Sequence, residues 1–203
     1  FTLSDINNNL NIQEKIKDEI KSIAKELNFS NCGVAEVSST VIPHLREWVH
    51  AGYNAEMDWF NKSIDFREDI LKWFPEAKSV IVFTYNYYHQ CNISPIALYA
   101  HGEDYHKVIE GKIKKITEYL ARIIEDLKFK ISIDTGPVHE KKWAVRAGIG
   151  WQGKNTLIIN PSIGSWFLLG IVATNFKLPP DTESKNQCGD CNLCIESCPT
   201  KAL

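Results

Sequence analysis

Cys188, Cys191, Cys194 and Cys198 are separated by two, two and three residues, and the last is followed by Pro199. Four thiolates on one tight run are soft ligands, and the spacing suits an iron–sulfur cube. The first three can wrap one 4Fe-4S cluster, while in two-cluster proteins the fourth, ahead of its proline, ligates the second. Zinc is the competing occupant, but zinc sites usually bring two close pairs or add histidine. The spacing therefore points to electron transfer through a cluster. No cysteine follows Cys198 before the last residue, Leu203, so the ligand sets stay incomplete. The expectation is of a C-terminally truncated sequence, inactive in electron relay as it stands. Phe1 as first residue and Met57 as the one methionine are read likewise, as a trimmed N-terminus.

Asp134 closes an alternating apolar segment, Phe129, Ile131 and Ile133, and is followed by Thr135, Gly136, Pro137 and then Glu140. Sheets flanked by helices place chemistry at strand ends. A carboxyl group held protonated there by an apolar or electron-rich cofactor is a candidate acid. An aspartate that merely caps a helix or turn has the same signature. The run Arg146 to Thr156 combines Gly148, Gly150 and Gly153 with Lys154, so its backbone could approach a large ligand closely. Its spacing is not that of a phosphate-binding P-loop, and a plain glycine-rich connection is the alternative. Tyr105 and His106 stand at the start of a helical pattern, where the histidine could donate to a ligand or cap its own turn. Tyr85, Tyr87 and Tyr88 could stack on a planar group or pack in the core. Cys32 and Cys91 read as small hydrophobes or incidental thiols.

Several elements must position these groups. Ile12, Ile16, Ile20, Ile23 and Leu27 mark one face of a helix. Gly33 to Val37 reads as a short strand, and residues 43 to 62, opening at Pro43, as two short helices. Val80 to Phe83 is a buried strand. Apolar residues from Ile109 to Leu127 recur at steps of three and four, which predicts a long amphipathic helix; a strand then delivers Asp134. Residues 139–147 form a helix closed by Gly148 and Gly150. Thr156–Asn160 and Ser165–Thr174 are expected to be paired strands about a turn at Pro161–Gly164, and 177–187 a linker. The fold expected is a layered α/β (α+β) domain with a mixed sheet covered by helices, residues 1–176. A partial bacterial ferredoxin-type 4Fe-4S module occupies 177–203.

Composition is ordinary for a globular protein, with 44% hydrophobic and 24% charged residues. A net charge of −2 gives no global pull toward nucleic acid. No stretch has the length of a membrane span, and no signal peptide is visible. Four of six cysteines in one motif speak for a reducing, cytoplasmic compartment rather than a disulfide framework.

Taken together, Tyr99–His106 (YAHGEDYH), Asp134–Glu140 (DTGPVHE), Arg146–Asn160 (RAGIGWQGKNTLIIN), Gly164–Gly170 (GSWFLLG) and Cys188–Leu203 resemble the epoxyqueuosine reductases. Members of that family complete queuosine at the wobble position of the tRNA anticodon loop, using base-off cobalamin and two 4Fe-4S clusters. The resemblance implies a cobalamin-binding domain in which Asp134 is the proton donor near the cobalt. Met57, Tyr105, His106, Asp134, Trp151, Lys154, Asn155 and Thr156 would line the cofactor or substrate pocket. Cys188, Cys191 and Cys194 would hold one cluster and Cys198 the other. The implied partners are tRNA carrying epoxyqueuosine and an external electron donor, with no membrane and a monomeric chain. Gly136 and His139 depart from the alanine and apolar residue of many members, and Lys141 from a common arginine. A reductive dehalogenase, which also joins cobalamin to two clusters, and a simple iron–sulfur carrier are the alternatives; the large domain before the cysteines speaks against the carrier.

Overall fold

The computed structural model describes residues 1–37, 44–91 and 95–203. Helix α1, Leu3–Asn8, starts at Thr2, whose hydroxyl accepts the Asp5 N–H while the Asp5 carboxylate accepts the Thr2 N–H. Asn9 ends α1 and caps α2, Leu10–Glu26, by accepting the N–H groups of Asn11 and Ile12. Strand β1, Asn31–Glu36, leads to α3, Leu45–His50, α4, Trp59–Glu68, and α5, Ile70–Trp73. Pro43, expected to open the first of these helices, lies outside the described residues. Strand β2, Ser79–Asn86, is followed by one 3-10 turn, Leu98–Ala100, and by α6, Tyr105–Ile123. Then come β3, Phe129–Ser132, α7, Glu140–Arg146, β4, Trp151–Gln152, β5, Ile158–Ile159, β6, Phe167–Thr174, and α8, Leu193–Glu196.

The main sheet runs in the order β1-β2-β6-β3, and each neighbouring pair is antiparallel. The expected mixed sheet is thus corrected to an antiparallel one. Both faces are covered. Ile81 and Phe83 of β2 and Val172 of β6 pack with Ile16 and Ile20 of α2 and Ile109, Ile113 and Ile116 of α6. The alternate residues Val80, Val82, Ile171 and Ala173 pack with Trp143 and Ala144 of α7 and with Ile70 and Phe74. Two-sided burial produces the unbroken apolar runs of β2 and β6, and such runs do not disclose strand direction.

The strand expected to pair with β6 does not. β6 already holds β2 on one edge and β3 on the other, so no edge remains for β5. β5 folds back on β4, and the turn toward β6 is closed by the Asn160–Gly164 bridge. Where α7 ends, it lies directly on β1: a Cβ on Gly33 would sit 2.1 Å from the Ala147 carbonyl oxygen, so no larger residue fits there.

Residues 177–187 are fastened to this body. Leu178 is buried and donates its N–H to the Ser79 hydroxyl at 2.8 Å. Asp181 exchanges two hydrogen bonds with the Val34 backbone on the outer edge of β1, each 2.8 Å. Its carboxylate also meets Lys17 at 2.9 Å and Lys21 at 2.8 Å. Burial works to raise the Asp181 pKa, but these lysine and N–H donors outweigh it, and the net shift is downward.

Candidate functional site

β3 ends at Ser132, and two residues later Asp134 adopts a left-handed backbone, φ +54°. Aspartate tolerates that region better than most residues, yet the conformation still costs about 1 kcal/mol and must be held by its surroundings. Arg67 of α4 does the holding. Its guanidinium donates to the Gly136 and Val138 carbonyl oxygens, both at 3.1 Å, and to Ser63 Oγ at 3.0 Å. It also lies over the rings of Trp59 and Phe60, at 5.1 and 4.8 Å. Partial burial lowers the Arg67 pKa, against the pull of Glu140 and Asp134. Gly136 lets the same turn pack closely on β3, since a Cβ there would come within 2.0 Å of Ser132 Oγ and force that side chain to move. Trp59, Ser63, Arg67, Asp134, Thr135 and Pro137 line a cleft of about 520 Å³.

α6 brings the second group. Its N-cap, Asp104, accepts both the His106 N–H and His106 Nδ1, at 3.0 and 2.8 Å. That fixes the ring with Nε2 turned toward Asp134, 3.7 Å from Oδ2. The gap is too long for a hydrogen bond, and Nε2 is buried without a partner. Tyr105 stands beside it. Burial first, then the charge of Asp134 and a hydrogen bond to it, push the phenol up to about 12, so it remains a donor at any working pH. Tyr105 lines a second cavity of about 540 Å³ with Tyr87, Tyr99 and Lys112.

Glu140, at the start of α7, is the third member. Its Oε1 accepts the Ser132 hydroxyl at 3.3 Å. Burial raises its pKa to about 7, the Arg67 charge opposing and the Asp134 charge adding to the rise. His139 next to it is half-buried, and that loss of solvent lowers its pKa. The structure thus brings Asp134, Tyr105 and His106 close together, with Arg67, Ser132 and Glu140 beside them. Glu140 sat in a motif but without a role. Arg67 carried no signal, because nothing local marks a charged residue on a mostly exposed helix as the clamp of a distant turn.

The other residues cluster elsewhere. Trp151 lies in β4 with its Nε1 buried and unpartnered, and it faces a cavity of about 390 Å³ shared with Asn31, Ile149 and Asn160. Lys154, at the tip of the β4–β5 hairpin, donates to the Gly189 carbonyl at 3.0 Å and to Asn192 Oδ1 at 2.8 Å. Asn155 Oδ1 accepts the Leu157 N–H, and Thr156 takes a left-handed φ of +67°. These side chains build the hairpin and tie it to the cysteine segment. Met57 lies on the exposed turn before α4, two residues from Trp59. The four cysteines follow one another through tight turns: Cys191 N–H donates to the Cys188 carbonyl at 3.0 Å, Cys194 sits in α8, and Cys198 N–H donates to the Ile195 carbonyl at 3.2 Å. None is in a disulfide. Bonds from Thr200 and the N–H groups of Ala202 and Leu203 bring the Cys198 thiol down to about 7.

The chain as a whole is similar to known proteins. A family model described as epoxyqueuosine reductase QueG, DUF1730, matches residues 67–135, the stretch from Arg67 to just past Asp134. An epoxyqueuosine reductase of Synechocystis is 41% identical over 181 residues, covering 84% of this chain and 62% of its own length. One from Cyclobacterium marinum is 38% identical over 199 residues, covering 94% and 64%. The chain therefore spans somewhat less than two thirds of the length of these relatives. The solved epoxyqueuosine reductase of Streptococcus thermophilus superposes with TM-score 0.80 at 30% identity, over 93% of this chain and 54% of that one. Another, solved with an epoxyqueuosine-modified tRNA-Tyr stem loop, gives TM-score 0.78 at 25% identity, over 93% and 53%. A B12-dependent reductive dehalogenase shares the fold at TM-score 0.55 and 18% identity, over 90% of this chain and 22% of that one. No helix among the described residues is long and apolar enough to cross a membrane.

Proposed function

Because the chain belongs to the epoxyqueuosine reductase family along the stretch it shares with those relatives, we propose that it acts in the conversion of epoxyqueuosine to queuosine at the tRNA wobble position. The observation that carries this reading is the meeting of Asp134, Tyr105 and His106 at the edge of the cleft walled by Trp59 and Arg67. On this reading residues 1–176 hold cofactor and substrate, and 177–203 begin a ferredoxin-type module. The partners are the modified tRNA and an external electron donor, and the chain works as a cytoplasmic monomer.

The residues present suit a cobalamin. His106 Nε2, His139 Nδ1 and Trp151 Nε1 are buried polar atoms that lack protein partners, and a bound ligand is one way in which such atoms are satisfied. Tyr105, His106 and Asp134 on one side, and Trp151, Lys154, Asn155 and Thr156 on the hairpin, with Met57, are the residues proposed to hold it. Cys188, Cys191 and Cys194 are proposed for one 4Fe-4S cluster and Cys198 for a second, a donor set of soft thiolates. When bound, a reduced corrin cobalt supplies electrons for the removal of the epoxide oxygen.

The chain's own groups supply the rest. Loss of the epoxide oxygen as water takes up two electrons and two protons. Asp134 delivers a proton to the epoxide oxygen, so that opening the ring does not leave a bare alkoxide and the oxygen is not expelled as hydroxide. Tyr105 keeps its proton and donates a hydrogen bond beside it. Glu140, titrating at about 7, is a nearby proton store at neutral pH. Arg67 holds the turn on which Asp134 sits. Asp134→Asn preserves size and tolerates the left-handed backbone. In the full-length reductase it is expected to lower conversion of epoxyqueuosine in tRNA by about 100-fold or more while cobalamin stays bound by absorbance. Unchanged conversion with cobalamin bound overturns the assignment.

A further inference from the structure

Between β2 and α6 the chain makes an excursion whose two limbs bring His89, Cys91 and His101 together. Their ligand atoms, one ring nitrogen from each histidine and the Cys91 sulfur, all lie within 4.8 Å of one another. His89 follows the end of β2 and His101 follows the Leu98–Ala100 turn, so each side chain is delivered by a different limb. All three border solvent.

The hydrogen bonds of the two rings decide their tautomers. His89 Nδ1 lies 3.2 Å from the Tyr87 carbonyl oxygen, and His101 Nε2 lies 3.1 Å from the Ile96 carbonyl oxygen. A carbonyl can only accept, so each of those nitrogens carries a hydrogen. The nitrogens left over, His89 Nε2 and His101 Nδ1, face each other at 3.1 Å. In neutral rings both are then bare lone pairs, and two lone pairs at that separation repel unless a positive centre lies between them. A tetrahedral zinc with Zn–N bonds of about 2.0–2.1 Å sets two ligand nitrogens roughly 3.3 Å apart, close to the observed spacing. Ring N–H groups donated to backbone carbonyls are also how metal-binding histidines are normally oriented.

We propose that His89, Cys91 and His101 form a binding site for a zinc-class divalent ion, with the fourth position open to water. Two imidazoles and a thiolate are the donor set that such an ion prefers over the harder magnesium or calcium. Cys91, which reads as an incidental thiol in the sequence, becomes the third ligand. The ion fastens the two limbs across the rim of the cavity lined by Tyr87, Tyr99 and Tyr105. It thereby fixes the aromatic wall in which Tyr87 and Tyr99 meet edge to face at 6.2 Å. The site is separate from the four C-terminal cysteines, and it stands whether or not the chain is a queuosine enzyme.

The test must silence the other thiols. In the chain carrying Cys188→Ser, Cys191→Ser, Cys194→Ser and Cys198→Ser, the remaining thiols are Cys91 and Cys32, the latter partly buried, which pushes its pKa up to about 12. Titration of the reduced protein with Co²⁺ alone is expected to saturate at one ion per chain, with a thiolate-to-cobalt charge-transfer absorption. Zn²⁺ should displace the cobalt. Adding Cys91→Ser should abolish that absorption. Adding His101→Ala should weaken Zn²⁺ binding by more than the roughly 10- to 100-fold that losing an outer-shell partner costs. In the chain with all its native cysteines, Cys91→Ser should lower the Zn²⁺ stoichiometry by one. An absorption that never develops, or metal binding indifferent to His101→Ala and Cys91→Ser, overturns the proposal and leaves a proton shared between the rings.

Discussion

Replacing Glu140 by glutamine should flatten the pH dependence of this protein's stability. Glu140 has its pKa raised from 4.5 to about 7 by burial. Between those values the folded state holds a proton that the unfolded chain has lost, so stability falls as pH rises. The contribution is fully present below about 4.5 and is lost as pH passes through about 7. A rise from 4.5 to about 7 corresponds, at about 1.36 kcal/mol for each tenfold change in proton affinity, to roughly 3 kcal/mol as an upper limit. Glu140 is partly open to solvent, and screening reduces that figure to roughly 2 kcal/mol. Glutamine can still accept from the Ser132 hydroxyl and carries no charge at any pH. The variant should therefore match the parent near pH 5 and exceed it at pH 8.5. With a Tm sensitivity of about 2–4 °C per kcal/mol for a chain this size, the gain at pH 8.5 is about 4–8 °C. Thermal melts of both proteins followed by circular dichroism from pH 5 to 9 read the difference directly, and other titrating groups cancel in it. Parallel Tm curves across that range would show that Glu140 is not a buried, proton-holding carboxyl.

Two further substitutions probe what holds the site in place. Asp181→Ala strips Lys17, whose side chain is 10% exposed, of its partner and leaves the Val34 N–H without its acceptor, so it should cost about 3 kcal/mol in urea unfolding at pH 7. Because the folded Asp181 pKa is lowered, that loss should shrink as pH falls below the ordinary carboxylate range, and a loss that stays constant in acid would remove the ion pair from the account. Gly136→Ala should cost roughly 1–3 kcal/mol by forcing Ser132 to move, and adding Ser132→Gly should recover most of it. If Gly136→Ala proves neutral in chemical denaturation, the packing of the Asp134 turn has been misread.

The helices were legible where one face repeats, as in α6, since Ile109, Ile113, Ile116 and Leu120 all point into one core. The alternation of β3 likewise led straight to Asp134. Strand direction was hidden because β2 and β6 are buried on both faces, and burial on two sides erases the polar half of the pattern. The partner of β5 was hidden for a different reason: whether β6 has a free edge depends on β3, far away in sequence. The same limit applies to the site. Tyr105, His106 and Asp134 sit in recognisable motifs, whereas Arg67 acts through backbone carbonyls of residues 136 and 138, which no sequence pattern records.

The central position of β6 also dictates an order of events during synthesis. β2 and β3 both need β6 as neighbour, in pairs such as Ser79 with Thr174 and Phe129 with Thr174. On the ribosome, 80 residues separate the end of β2 from the start of β6, so at 5–20 residues per second the inner edge of β2 waits roughly 4–16 s for its partner. During that interval the β1–β2 pair presents an apolar, unpaired edge to the cell, which is the geometry that invites aggregation. Only the arrival of residues 167–174 closes the sheet, and with it the turn that carries Asp134 gains a fixed strand to hang from.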